Sequence, residues 1–141
     1  MKTPVITCVL LFLGLFLAAG CAYVEITQVG DPNRVMTGKV TFVPGMPVPD
    51  GAILSVRVVD TVIATSGPVL LGQQRIAISG EPPFEFRVEY RAADDLLRKG
   101  VNVEAKILVN GKLRYGNLTG YVVTLGRAAG NQEITVLPAG N

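Results

Sequence analysis

Residues 84–91 alternate strictly between apolar and charged side chains, and this pattern constrains the fold more than any other feature of the chain. A period of two held over eight residues is typical of a β-strand with one buried and one solvated face. The chain must therefore build a sheet that covers that buried face. Phe84, Phe86, Val88 and Tyr90 point one way, and Glu85, Arg87, Glu89 and Arg91 point the other way.

Similar short runs recur along the chain, separated by glycine, proline and asparagine every 8 to 12 residues. This spacing is typical of an all-β sandwich or barrel. No period of 20 to 50 residues repeats, which excludes solenoids and propellers. Further strands are predicted around Val40 and Phe42, over Leu54, Val56 and Val58, from Val101 to Val109, and over residues 120–125 and 132–137.

Two local signals place a turn and a helix between these strands. Asn110-Gly111 predicts a two-residue type I′ hairpin turn, in which both central residues need a positive φ. Residues 92–99 predict a helix of about two turns that ends at Gly100. The sequence therefore predicts an antiparallel β-sandwich of about eight strands with one short helix, over residues 35–141.

The first 20 residues have the three parts of a secretory signal: a positive start at Lys2, an apolar run over residues 5–17, and small residues before the cleavage point. The apolar run is shorter than the roughly 20 residues that span a bilayer. The small residues lead directly into a cysteine, in the order Ala18-Ala19-Gly20-Cys21. This order resembles the lipobox of bacterial lipoproteins, in which the cysteine is acylated; the alternative is an ordinary cleavage site with a coincidental cysteine.

Acylation of Cys21 would make the bilayer the first partner of this chain, because several acyl chains hold a protein on a membrane essentially permanently. Ala22 follows the cysteine, where an aspartate would retain many such lipoproteins at the inner membrane. The resemblance thus implies the periplasmic face of the outer membrane. Residues 21–34 then form a tether, or residues 23–29 pair as an extra edge strand.

Charge and reactive side chains argue against two classes of function. The chain has 13 basic and 11 acidic residues, too even a balance for a reader of nucleic acids. It has no histidine, and its two cysteines lie at position 8 of the signal and at the acylation site. Carboxylate pairs, Asp94 with Asp95 and Glu81 with Glu85, are interpreted as structural. We therefore expect no enzyme activity, no cofactor and no metal site.

A stretch near the C-terminus is apolar on both faces and is the candidate partner surface. In residues 121–125 (YVVTL) the candidates are Tyr121, Val122, Val123 and Leu125. An exposed apolar strand face can bind another protein. The alternative is that this strand is covered on both sides within the domain, as residues 69–71 would also be.

The order of several short motifs resembles the YbaY/YscW family of outer-membrane lipoproteins. The resemblance implies a small β-sandwich on a lipid anchor, and one branch is similar to pilotins, chaperones that bind a secretin subunit. The family offers no catalytic residue. The motifs are Gly38-x-Val40, Pro49-Asp50-Gly51-Ala52, Val56 and Asp60, Gln73-Gln74, Gly80-Glu81-Pro82-Pro83-Phe84 with Phe86, Val88 and Tyr90, residues 105–107, Gly111-x-Leu113, and residues 121–124.

Two functions of different class follow from the sequence. The first is a non-enzymatic lipoprotein that binds another envelope protein, as a chaperone or pilotin would bind a secretin. The second is an envelope domain that binds polysaccharide or another small ligand. Aromatic side chains on a solvated face would favour the second function, and an apolar groove or an unpaired strand edge would favour the first.

Overall fold

A computed structural model describes residues 30–61, 67–117 and 119–140 of the chain. Its described part is all-β, with eight strands and one short helix, as the sequence predicts. The signal, Cys21 and residues 23–29 lie outside the described residues. The elements are β1 (Arg34–Phe42), β2 (Ile53–Asp60), β3 (Val69–Ala77), β4 (Phe84–Tyr90), α1 (Asp94–Lys99), β5 (Val101–Val109), β6 (Lys112–Gly116), β7 (Tyr121–Val123) and β8 (Asn131–Pro138).

The strands form one mixed sheet in the order β3-β2-β5-β6-β8-β1-β4, and β7 pairs with β5 beside this path. Two groups of strands meet where Tyr115 of β6 pairs with Pro138 of β8. The strand directions differ from the antiparallel prediction at one pair: β1 and β8 run parallel, with Thr37 opposite Asn131. Apolar alternation specifies which face of a strand is buried, but it carries no information about the direction of the neighbouring strand.

The two edge strands, β3 and β4, approach each other closely, so the sheet is nearly a closed barrel, which differs slightly from the predicted sandwich of two separate sheets. The Arg91 amide donates to the Leu71 carbonyl at 3.1 Å. A Cβ placed on Gly72 would lie 2.2 Å from the Glu89 carbonyl oxygen and 2.6 Å from Tyr90 Cβ. Glycine is therefore required at position 72, because any side chain would force the two edges apart.

The inward faces of the strands fill a single core. Phe86, Val88 and Tyr90 are buried, whereas the charged residues between them are exposed, so the alternation in β4 is confirmed. Phe86 lies over its register partner Gly38, where an added Cβ would approach the ring to 2.5 Å. The same alternation holds in β5, from Val101 to Ile107.

The predicted turn and helix are also confirmed. Asn110 and Gly111 have φ values of 50° and 75°, the positive pair that a type I′ hairpin needs. Helix α1 is followed by Gly100, whose φ is 99° and whose amide donates to the Leu96 carbonyl. Both features follow from backbone preferences of single residues.

One side of β5 pairs with β2. The other side, its second edge, is paired by three successive pieces of chain. Residues 106–109 of β5 pair with β6, and residues 101–103 pair with β7. Between them the side chain of Asn117 takes the place of a strand. Its Oδ1 accepts from the Ala105 amide at 2.8 Å, and its Nδ2 donates to the Val103 carbonyl at 2.8 Å.

A core prediction follows from the two faces of β4. Phe86→Ala removes a buried ring and should lower the free energy of unfolding by about 3 to 5 kcal/mol. Arg87→Ala is the matched control, because its side chain is exposed and pairs with Glu89; it should cost less than about 1 kcal/mol. Urea unfolding of both variants measures the difference. Equal small losses would contradict the assignment of the buried face.

Candidate partner-binding site

The fold has two ends that differ in what they carry. The proximal end is where the described chain begins at Gly30, and it also holds helix α1, the start of β8 and the loop that follows β7. The distal end carries the β1–β2 loop, the 110–111 turn and the end of β8. The residues predicted as a partner surface lie toward the proximal end, because β7 pairs with the first residues of β5.

The structure separates the two valines of β7. Val122 has 51% of its surface exposed, the highest value among the five exposed large apolar residues of the described chain. Val123 is fully buried in the core and has no surface to offer a partner. Asn102 is the register partner of Val122, and its buried Oδ1 has no hydrogen-bond donor among the described residues.

Tyr121 has a role in holding β7 to β8. Its hydroxyl donates to Gln132 Oε1 at 3.2 Å, and it accepts from Arg127 Nη2 at 3.2 Å and from the Glu133 amide at 3.3 Å. The Arg127 guanidinium also lies over the Tyr121 ring, 5.5 Å from its centroid. Tyr121 thus connects β7 and β8, two strands whose backbones are not paired with each other in the described sheet.

Leu125 lines a pocket at the proximal end, which we call the Tyr90 pocket. It has a volume of about 280 Å³ and lies between the start of β1 and the loop after β7. Aliphatic and polar side chains both line it; of the aliphatic ones, Val35 is 43% exposed, Leu125 is half-buried and Ala128 is buried. The pocket is lined by Asn33, Arg34, Val35, Tyr90, Leu125, Ala128 and Ala129.

Two of the polar side chains around the pocket are already engaged. Asn33 Nδ2 donates to the Ala92 carbonyl at 3.3 Å, and Asn33 Oδ1 accepts from the Ala92 amide at 3.0 Å. Arg34 Nε donates to the same carbonyl at 2.8 Å, and its guanidinium forms an ion pair with Asp94. These contacts fasten the start of β1 to the segment after β4.

The hydroxyl of Tyr90 is different. Tyr90 is 1% exposed, and its buried hydroxyl oxygen has no hydrogen-bond partner in the described part of the chain. Burial raises the pKa of Tyr90 above its ordinary value, and the nearby Arg34 lowers it by a smaller amount. This unsatisfied oxygen is itself closed to solvent.

A second concavity, the hairpin cleft, lies at the distal end. It has a volume of about 300 Å³. Met46 and Leu113 are exposed there, and the Tyr115 hydroxyl donates to the Pro47 carbonyl at 3.0 Å. The cleft is lined by Met46, Pro49, Leu113, Arg114, Tyr115, Pro138 and Ala139.

The carboxylates considered for catalysis have structural partners or are solvated. Asp94 pairs with Arg34, and Asp95 pairs with Arg98 one turn along α1, at 2.8 Å. Glu81 and Glu85 are exposed. Within residues 30–61, 67–117 and 119–140, no group of three potential metal ligands is present. In the same ranges no helix is long and apolar enough to cross a membrane.

Comparison with known proteins assigns the chain to a family. The model of the YscW family, described as type III secretion system lipoprotein chaperones, matches residues 31–136. The chain belongs to the YscW family. The match covers all eight strands except the last two residues of β8. No curated protein matches the chain.

A solved structure of a secretion-system protein is similar to this YscW-family chain. It is an alternative pilotin from the type II secretion system of Vibrio cholerae, with 26% sequence identity and a TM-score of 0.63. The alignment covers 77% of this chain and 98% of the pilotin. Both comparisons are consistent with a pilotin-like chaperone.

The raised pKa of Tyr90 generates a prediction about alkaline stability. The unfolded protein ionises this hydroxyl at lower pH than the folded protein does, so stability is fully present below about pH 10 and falls above it. Tyr90→Phe removes this contribution, and the variant should lose less stability than the wild type between pH 9 and 11. Urea unfolding across this range measures it, and identical losses would contradict the assignment.

Proposed function

We propose that this YscW-family chain is an outer-membrane lipoprotein that acts as a pilotin-like chaperone for a secretin-type subunit. The observation that carries the proposal is the family match over residues 31–136, together with the similarity to a pilotin over 98% of that protein. The partner segment is an apolar stretch of the subunit that must stay covered until the subunit is assembled in the membrane.

The surface that best fits this partner lies at the proximal end, at Val122 and the Tyr90 pocket. Val122 offers an exposed aliphatic side chain, and burying apolar surface contributes about 25 cal/mol per Å². The pocket adds the side chains of Val35 and Leu125. A few such anchor residues supply most of the affinity in protein interfaces.

The anchor of the proposed chaperone is Cys21, as the lipobox sequence indicates. Acyl chains on this cysteine would hold the domain at the periplasmic face of the outer membrane. The family description of secretion-system lipoproteins supports this proposal. A chaperone attached in this way could carry its bound partner to the membrane in which the partner assembles.

The alternative, a polysaccharide-binding domain, would favour aromatic side chains on a solvated face. Each aromatic residue in the described ranges is buried or half-buried. The exposed large apolar residues there are aliphatic or methionine. These side chains favour a protein segment over a sugar ring as the bound partner.

The anchor can be tested by replacing the cysteine. Cys21→Ser removes the thiol that would form the thioether with lipid, so the variant should incorporate no palmitate and should leave the membrane fraction. Metabolic labelling and fractionation of cells measure both effects. Cys8→Ser is the matched control and should label normally. Unchanged palmitate incorporation in Cys21→Ser would overturn the lipoprotein proposal.

The partner surface can be tested with a charge placed on β7. Val122→Lys should weaken binding of the purified secretin subunit from the same cell at least tenfold, because a lysine opposes burial of this surface. Leu113→Lys is the matched control at the distal end, where Leu113 is 43% exposed. Titration calorimetry measures binding, and circular dichroism checks that both variants fold.

The two variants distinguish the possible outcomes. Loss of binding in Leu113→Lys with normal binding in Val122→Lys would move the site to the hairpin cleft. Failure of the wild-type domain to bind the subunit would overturn the pilotin-like function itself.

A further inference from the structure

We infer that the hairpin cleft is a second docking site, for a protein segment that carries an aliphatic side chain next to a carboxylate. This segment is distinct from the secretin-type segment proposed for the proximal end, so the inference goes beyond the proposed function. Met46 and Leu113 contact the aliphatic side chain, and Arg114 pairs with the carboxylate.

The first argument is the concentration of exposed apolar side chains at the distal end. Three of the five exposed large apolar residues in the described ranges lie there: Met46, Leu113 and Leu137 are 38%, 43% and 38% exposed. Leu113 and Leu137 both lie beside Gly116. A Cβ placed on Gly116 would lie 3.9 Å from Leu113 Cδ1, and Leu137 is the register partner of Gly116. Clustered apolar exposure of this kind is typical of an interaction site.

The second argument is the charge of the distal end. Arg114 lines the cleft and is exposed, as is its neighbour Lys112. Neither forms an ion pair with a carboxylate in residues 30–61, 67–117 and 119–140. Asp50, which follows Pro49 of the cleft, is exposed and pairs with neither cation. A carboxylate of a partner therefore has two cations to approach.

The third argument is the size and lining of the cleft. Its volume of about 300 Å³ lies at the lower end of the range of about 300 to 1,000 Å³ that is usual for ligand sites. It therefore suits one or two side chains of a short segment. Its walls combine Met46 and Leu113 with Arg114, so the matching occupant has an aliphatic and a negatively charged group. Methionine and arginine are enriched in protein interfaces.

The fourth argument is that the cleft is held in place before any partner binds. The Tyr115 hydroxyl donates to the Pro47 carbonyl at 3.0 Å, and the Ala139 amide donates to the Arg114 carbonyl at 2.8 Å. These hydrogen bonds join the β1–β2 loop, β6 and the end of β8. A site that is already ordered loses less conformational entropy on binding.

An anionic bilayer also combines apolar and negatively charged groups, but the location of the cleft favours a protein segment. The lipid proposed on Cys21 would place the bilayer near Gly30, where the described chain begins at the proximal end. The cleft lies at the opposite end of strands about 30 Å long. It is also a concavity, whereas a bilayer surface is best contacted by side chains that protrude.

The test is an NMR titration of two short peptides against the mature chain, residues 21–141, with Cys21→Ser to keep it in solution. Acetyl-Leu-Glu-amide should shift the amide signals of Met46, Leu113 and Ala139 and leave that of Val122 unchanged. Acetyl-Leu-Gln-amide lacks the carboxylate and should bind roughly 1.5- to 5-fold more weakly, as for one exposed ion pair. Absence of shifts with the first peptide, or equal affinity for both, would overturn the inference.

Three variants at exposed positions test the two contacts separately. Arg114→Gln should remove the preference for the glutamate peptide. Arg98→Gln is the matched control, because it removes the same charge at the proximal end, and it should keep the preference. Leu113→Ser should weaken binding of both peptides equally. Loss of the preference in Arg98→Gln but not in Arg114→Gln would overturn the inference.

Two further measurements separate this site from its alternatives. The secretin subunit, added to the peptide-bound chain, should leave the shifts at Leu113 in place, and displacement of the peptide would overturn the assignment of a second site. Phosphatidylglycerol vesicles should not bind the Cys21→Ser chain. Vesicle binding that is lost in Arg114→Gln would assign the cleft to a membrane and overturn the inference. Peptide binding without binding of the secretin subunit would support the cleft and overturn only the proposed function.

Discussion

The second edge of β5 is the constraint on which the rest of the domain depends. Four inward residues of this strand are fully buried, so its backbone groups must be paired within the protein. Strand β6 covers only half of that edge before the chain turns away. Asn117 then bonds the Ala105 amide and the Val103 carbonyl, and β7 completes the rest. Without Asn117 two buried groups would lose their partners, at about 1 to 3 kcal/mol each.

This arrangement also positions the candidate site. Strand β7 pairs with the first residues of β5 on this same edge. The loop that follows β7 therefore lies at the proximal end, where Leu125 and Ala128 line the Tyr90 pocket. Two other amides act in the same way as Asn117. Asn33 extends the pairing of β1 past the end of β4, and Gln132 binds two carbonyls of the loop. Among the described residues the buried hydroxyl of Tyr90 has no partner, although side-chain amides satisfy the neighbouring backbone.

The sequence predicted the parts of the fold that depend on local preferences. The eight-residue alternation identified the buried face of β4, and Asn110-Gly111 identified the hairpin turn. The parallel pairing of β1 with β8 could not be predicted, because partner direction is decided by residues about 90 positions apart. The hydrogen bonds of the Tyr121 hydroxyl to Gln132 and Arg127 were not predicted either, because they depend on how the loop after β7 folds back.

The candidate site was predicted in part, and the reason lies in its composition. A strand of three apolar residues has no alternation, so the sequence gives no indication that Val122 is exposed while Val123 is buried. No pattern in the sequence predicts the Tyr90 pocket. Tyr90 was correctly placed in the core, but the surroundings of its side chain depend on β1 and the loop after β7, which are far away in sequence.

The position of the pocket relative to the proposed anchor favours the proximal end over the hairpin cleft. Nine peptide steps separate Cys21 from Gly30, and such a segment can span at most about 30 Å. A nine-residue strand such as β1 adds about 30 Å between the two ends of the domain. With lipid on Cys21, a segment bound in the Tyr90 pocket stays within about 30 Å of the headgroups, whereas the hairpin cleft reaches about twice as far. A partner that must enter the membrane is better served by the nearer site.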